Sequence, residues 1–176
     1  SAKAAFFHNH KLLVGQTVKR LADALELSPE NCEMLRLAAL LHDIGTVIVP
    51  DVILSKQDAL TAEDWVLIRQ HSATGAGFLE KVPALRHLAP IVRHHHERYD
   101  GGGYPDGLKG EAIPYLARVL TVADTYASMV NQWIGHKPKS PAEAKAQLAA
   151  AAGTQLDPQI VSVFVQTLDG ERPPAG

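Results

Sequence analysis

An all-α fold follows from three features of this 176-residue chain. Apolar residues recur at three- and four-residue spacing in successive segments, no alternating run is long enough for a sheet, and prolines and glycines fall at segment ends. The expected architecture is a compact bundle of about seven helices forming one domain over 1–169, with 170–176 a frayed tail. A chain of this length hides about two-thirds of its unfolded surface, enough for a core without disulfide or metal staples. The 46% hydrophobic and 20% charged content excludes intrinsic disorder.

Leu13, Val14, Val18, Leu21, Ala22 and Leu25 share one face of a first helix that should end near Ser28-Pro29, with His10 one turn before Val14 and pointing inward. A second helix, about 30–44, is apolar nearly all round and reads as central; it carries His42 and Asp43 at its end, where Gly45 suits a left-handed stop. Extended Val47-Ile48-Val49-Pro50 and a loop lead to a third helix, 62–81, capped by Thr61 with Asp64 three residues on and holding His71. Pro83 opens a fourth helix through Leu88, Ile91 and Val92 to His94-His95-His96-Glu97. The glycine-rich stretch 100–107 must then be loop. Pro114 starts a fifth helix carrying Val119, Val122, Asp124 and Met129; Ser140-Pro141-Ala142-Glu143 caps a sixth that stops at Gly153, and a seventh follows Asp157-Pro158.

Seventeen basic against nineteen acidic side chains leave a net charge of -2, so no overall field favours a nucleic-acid polymer. The longest apolar stretch, 37–41, is far short of a membrane span, and the start lacks the layout of a secretory signal. The expectation is a soluble, cytoplasmic chain with no membrane contact from this segment. Cys32 has no partner for a disulfide, which suits a reducing compartment.

Nine histidines are the compositional oddity. A lone histidine on an apolar helix face is usually a satisfied core or surface residue. Here, though, His10, His42, His71, His95 and His96 accompany Asp43 and Asp124 on apolar segments, where burial without a cation would cost several kcal/mol. Imidazole and carboxylate without thiolate suit divalent Fe, Mn, Ni or Zn rather than calcium or a structural zinc finger. Seven such residues match two ions sharing a bridging carboxylate, a layout that recurs in phosphate-ester hydrolysis.

The segments Leu40-Leu41-His42-Asp43-Ile44-Gly45, His95-His96-Glu97-Arg98-Tyr99-Asp100-Gly101-Gly102-Gly103-Tyr104-Pro105-Asp106-Gly107-Leu108, Ile113-Pro114 with Ala117-Arg118-Val119, Val122-Ala123-Asp124 and Gly153-Thr154-Gln155-Leu156-Asp157-Pro158 resemble the HD-GYP family, in its order and spacing. This family is a helical subset of the HD superfamily of metal-dependent phosphohydrolases. The resemblance implies a cyclic dinucleotide phosphodiesterase acting on cyclic di-GMP or a related cyclic dinucleotide. It makes Asp43 the carboxylate bridging two divalent transition-metal ions, iron foremost, with His10, His42 and Asp124 at one and His71, His95 and His96 at the other. Asp43 and His42 are then catalytic, a metal-bridging hydroxide attacks phosphorus, and Gly103, Tyr104, Pro105, Lys109, Arg118 and Lys137 are candidates to hold substrate. Sensor, receiver or diguanylate cyclase type domains are the implied partners.

Several positions depart from the family pattern. Its phosphate-reaching lysine is Thr46, an arginine that pairs with the phosphodiester is Trp133, an aspartate three residues beyond Asp124 is Ala127, and the acidic ligand of a third ion is Phe6. Two lost charged contacts, at roughly 1.5 to 3 kcal/mol each, predict reduced activity. The alternative is a degenerate signalling module that binds metal or nucleotide and acts through protein partners.

Overall fold

The structure, a computed structural model, describes residues 2–56, 58–131 and 137–169, with side chains from 9 to 168. The expectations placed on Trp133, on the side chain of Phe6 and on the tail fall outside these residues. Eight helices follow in order: α1 (Ala2–Ala24), α2 (Pro29–Leu41), α3 (Asp51–Leu54), α4 (Ala62–Glu80), α5 (Ala89–His94), α6 (Tyr115–Val130), α7 (Pro141–Ala151) and α8 (Pro158–Asp169). No strand occurs among the described residues beyond an isolated bridge between Ala152 and Leu156. No helix there is long and apolar enough to cross a membrane.

The all-α expectation holds, with differences at helix ends. α1 stops at Ala24 because Glu26 takes a left-handed φ of 51°. There the Leu27 N–H reaches Ala22 O at 3.0 Å and the Glu26 N–H reaches Asp23 O at 3.3 Å, the paired closure of a Schellman end. Ser28 instead caps α2, accepting the Asn31 N–H at 3.2 Å. The 3₁₀ turn Ile44–Ile48 replaces the extended segment expected there, and one-turn α3 replaces part of the loop. Residues 86–88 form a 3₁₀ turn, so α5 begins at Ala89 rather than Pro83. Both expected capping boxes are present, Thr61 with Asp64 on α4 and Ser140 with Glu143 on α7.

The central helix is α6, not α2. α6 buries Leu116, Ala117, Val119, Leu120, Val122, Ala123, Ala127 and Met129, and packs against α1, α2, α5, α7 and α8. α2 buries Leu35, Ala38 and Ala39 but leaves Leu40 54% exposed, because a helix apolar all round still has one side facing out when its neighbours cover only the other. Gly45 takes no left-handed φ either. It permits close approach: a Cβ there would lie 1.9 Å from His71 O, so only glycine lets the 44–48 turn lie against α4.

Candidate metal centre

Three helices and two helix ends deliver the site. His10 comes from the middle of α1, His71 from α4, Asp124 from α6, and His95-His96 from the end of α5, while His42-Asp43 follow the last residue of α2. Breaking helix geometry at this last point lets two successive side chains turn to the same centre, which an unbroken helix, at about 100° per residue, would prevent. The structure brings six of the seven sequence-predicted ligands together as two groups, His10 with His42 and Asp124, and His71 with His95 and His96. Ligand atoms within each group lie within 4.8 Å of one another.

Asp43 stands between the groups. Its Oδ2 is 3.2 Å from His42 Nε2 and its Oδ1 is 3.8 Å from His71 Nε2, so its two oxygens face different groups. Asp124 Oδ1 lies 2.9 Å from His10 Nε2 and 3.7 Å from His42 Nε2. The rings follow one another closely, with His95 and His96 centroids 4.0 Å apart and His71 and His96 4.9 Å apart.

A shared device orients three of the imidazoles. The Nδ1–H of His42, His71 and His95 donates to the carbonyl three residues earlier, Ala39, Ile68 and Val92, at 2.7, 2.5 and 2.6 Å. That fixes each ring and turns Nε2 inward as a lone-pair donor, as in protein metal sites. His71 Nε2 and His95 Nε2 are buried and have no hydrogen-bond partner. Orphaned nitrogens of this kind cost free energy unless a cation takes the lone pair, so the residues fit a pair of metal ions.

The electrostatics of the second group agree. Burial first, and neighbouring imidazoles second, push His95 well below its ordinary value and His96 down to about 3, leaving both neutral and able to ligate. Burial would also lower His42, but the carboxylates of Asp43 and Asp124 outweigh it and raise the imidazole to about 9. Burial likewise opposes ionisation of Asp43 and Asp124, yet the adjacent imidazoles keep both carboxylates below the usual range.

The glycine-rich loop is packed onto this centre by its backbone. Tyr104 N–H donates to His96 O at 3.2 Å, and the Tyr104 ring stacks on His96 with centroids 5.0 Å apart. A Cβ on Gly103 would lie 2.3 Å from Arg98 N, so Gly103 is required for contact with the main chain, whatever it does for substrate. Glu97, which follows the histidine pair, is buried and accepts the N–H groups of Asp106 at 2.8 Å and Leu108 at 3.1 Å. A third acidic and imidazole group, His94 with Glu97 and Asp106, is occupied already: Arg93 donates twice to Asp106 at 2.7 and 2.8 Å.

The other candidates differ in availability. Arg118 donates to Ile113 O and to Asp157 Oδ2 at 2.5 Å, committing its guanidinium to the fold. Lys109 and Lys137 are exposed. Thr46 donates its hydroxyl to Asp43 O at 2.7 Å. Sequence reasoning passed over Arg69 on α4, whose guanidinium lies over the Tyr104 ring at 5.5 Å from the centroid. The available signal was its lack of an acidic residue three or four positions away.

Comparison with known proteins places this arrangement. The HD domain family profile matches residues 1–160. A cyclic di-GMP phosphodiesterase of Thermotoga maritima is 35% identical over 161 residues, which are 90% of this chain and 44% of the relative. The 3'3'-cGAMP-specific phosphodiesterase 3 of Vibrio cholerae is 30% identical over 168 residues, 96% of this chain and 36% of that protein. Among solved structures, an HDG"Y"P protein from Bdellovibrio bacteriovorus superposes with a TM-score of 0.72 at 25% identity, covering 92% of this chain and 52% of its own. The chain thus spans less than half the length of these curated relatives. With the profile covering nearly the whole chain and the His/Asp clusters in place, the chain belongs to the HD domain family and is of the HD-GYP type.

Proposed function

We propose that the chain is a binuclear metal-dependent phosphodiesterase that opens a cyclic dinucleotide, cyclic di-GMP or 3'3'-cGAMP. The observation carrying this reading is Asp43 set between two three-ligand groups, with one oxygen toward each. Relatives named for both substrates support the substrate class. Two divalent ions held there, iron foremost among nitrogen- and oxygen-preferring metals, supply Lewis acidity toward a phosphodiester.

The chain's own residues do the rest. His10, His42 and Asp124 hold one position, His71, His95 and His96 the other, and Asp43, ionised throughout the working range, spans both. The Nδ1 bonds to Ala39, Ile68 and Val92 keep the rings from rotating, so ligand positions are set before substrate arrives. Tyr104, stacked on His96, forms a wall beside the second position where a phosphate or base can lie. Metal content by elemental analysis, paired with hydrolysis of cyclic di-GMP and 3'3'-cGAMP after ferrous or manganous loading, tests the proposal. About two ions per chain with cleavage is the expected result. Two ions without cleavage of either nucleotide would indicate a non-catalytic module, and no metal after loading would remove the basis of the reading.

A further inference from the structure

Four arginines of this fold are held by carboxylates. Arg36 pairs with Glu33, Arg93 with Asp106, Arg98 with Asp100 and Arg118 with Asp157. Arg69 differs: it is exposed on α4, two residues before the ligand His71, and has no carboxylate partner among the described residues. Its contact is instead the Tyr104 ring, which in turn stacks on the ligand His96. Cation, phenol and imidazole thus form one continuous stack running from solvent into the second metal position. A guanidinium resting on an aromatic ring leaves its edge N–H donors unspent, in the planar fork that matches two phosphate oxygens. The stack also restricts the side chain beforehand, so less rotamer freedom is lost when the donors engage an anion.

The same atoms explain why a cation belongs here. Asp43 and Asp124 place two carboxylates close enough for both to act on the Tyr104 hydroxyl, and Arg69 acts on it with opposite sign. Thr46, beside Asp43, brings no charge and spends its hydroxyl on the backbone. We propose that Arg69 is a substrate-positioning residue which, through its free guanidinium edge, binds a non-bridging oxygen pair of a phosphodiester at the mouth of the His71–His95–His96 position, with Tyr104 as its platform. The inference rests on the phosphodiesterase reading, and it extends to any phosphate ester the site accepts.

Arg69 is exposed, so Arg69→Ala should fold, and Arg69→Lys retains charge without the fork. Arg86→Ala, a change of equal charge on an exposed turn, serves as control. Manganese content, equilibrium dialysis of inorganic phosphate against manganese-loaded protein, and steady-state hydrolysis of cyclic di-GMP are measured on all four proteins. R69A is expected to keep wild-type manganese, to bind phosphate at least about tenfold more weakly, and to raise KM for cyclic di-GMP by about 10- to 100-fold with a much smaller change in kcat. R69K should recover part of the loss, and R86A should match wild type. Unchanged phosphate binding and KM in R69A, loss of manganese in R69A, or no phosphate binding by wild type would each overturn the assignment. Weakened phosphate binding in R69A alongside a wild type inert toward cyclic di-GMP would refute the substrate reading while upholding Arg69 as the phosphate contact.

Discussion

Asp43 faces an imidazole of each group because it leaves α2 beside His42 and meets His71 across the gap. Its replacement therefore differs from loss of any single histidine. Asp43→Ala is expected to abolish loading of both ions, and a variant that keeps two metals per chain would contradict its bridging position. Glu97 is the second residue whose removal has a defined cost. Its two oxygens satisfy the Asp106 and Leu108 amides, so Glu97→Gln leaves one buried amide facing a donor instead of an acceptor. A loss of about 1 to 3 kcal/mol is expected in urea unfolding. A stability equal to wild type would show that the glycine-rich loop is held by other contacts. The two His/Asp groups were legible in the sequence because their members sit in short motifs on apolar segments, where burial makes them expensive. Glu97 was not, since its partners lie nine and eleven residues away in a loop with no periodicity.

The 3₁₀ turn Ile44–Ile48 and α4 approach at Gly45, where a Cβ would collide with the His71 main chain. Gly45→Ala is expected to cost several kcal/mol and to displace His71, visible as a lowered melting temperature together with weaker metal binding. Gly15, in the interior of α1 with no heavy atom within 4 Å of its would-be Cβ, is the contrasting case. Gly15→Ala should raise stability by about 0.5 to 1 kcal/mol, so a decrease would mean that α1 is packed more tightly there than the structure shows. Helices whose starts depend on side-chain caps, α4 and α7, were predictable because a capping box is a local pattern. The ends of α1 and the start of α5 were not. Glu26 adopts a left-handed φ without being glycine, and Pro83 precedes a turn rather than a helix, neither of which its residue type announces.

The whole molecule buries imidazoles of opposite electrostatic character around one centre, which fixes how the metal-free protein responds to pH. An unfolded histidine titrates near about 6.5. His95 and His96 are held below that, so from about 6.5 toward 3 the unfolded chain binds more protons and stability falls as pH drops. His42 is raised to about 9; its contribution is complete below about 6.5 and is lost as pH rises through 9. Chelated protein should therefore be most stable near about pH 6.5 in urea denaturation. A steady rise from about pH 5 to 8.5 would show that these imidazoles do not govern the response. The clustered His and Asp residues also come from segments far apart along the chain, residue 10 at one extreme and residue 124 at the other. An ion at the His10–His42–Asp124 group would link the N-terminal helix to the central one without a covalent bond. In kinetic terms an ion held there would be a latch: its departure would loosen α1 from the central helix, and protease sensitivity of α1 would become a clock for metal loss.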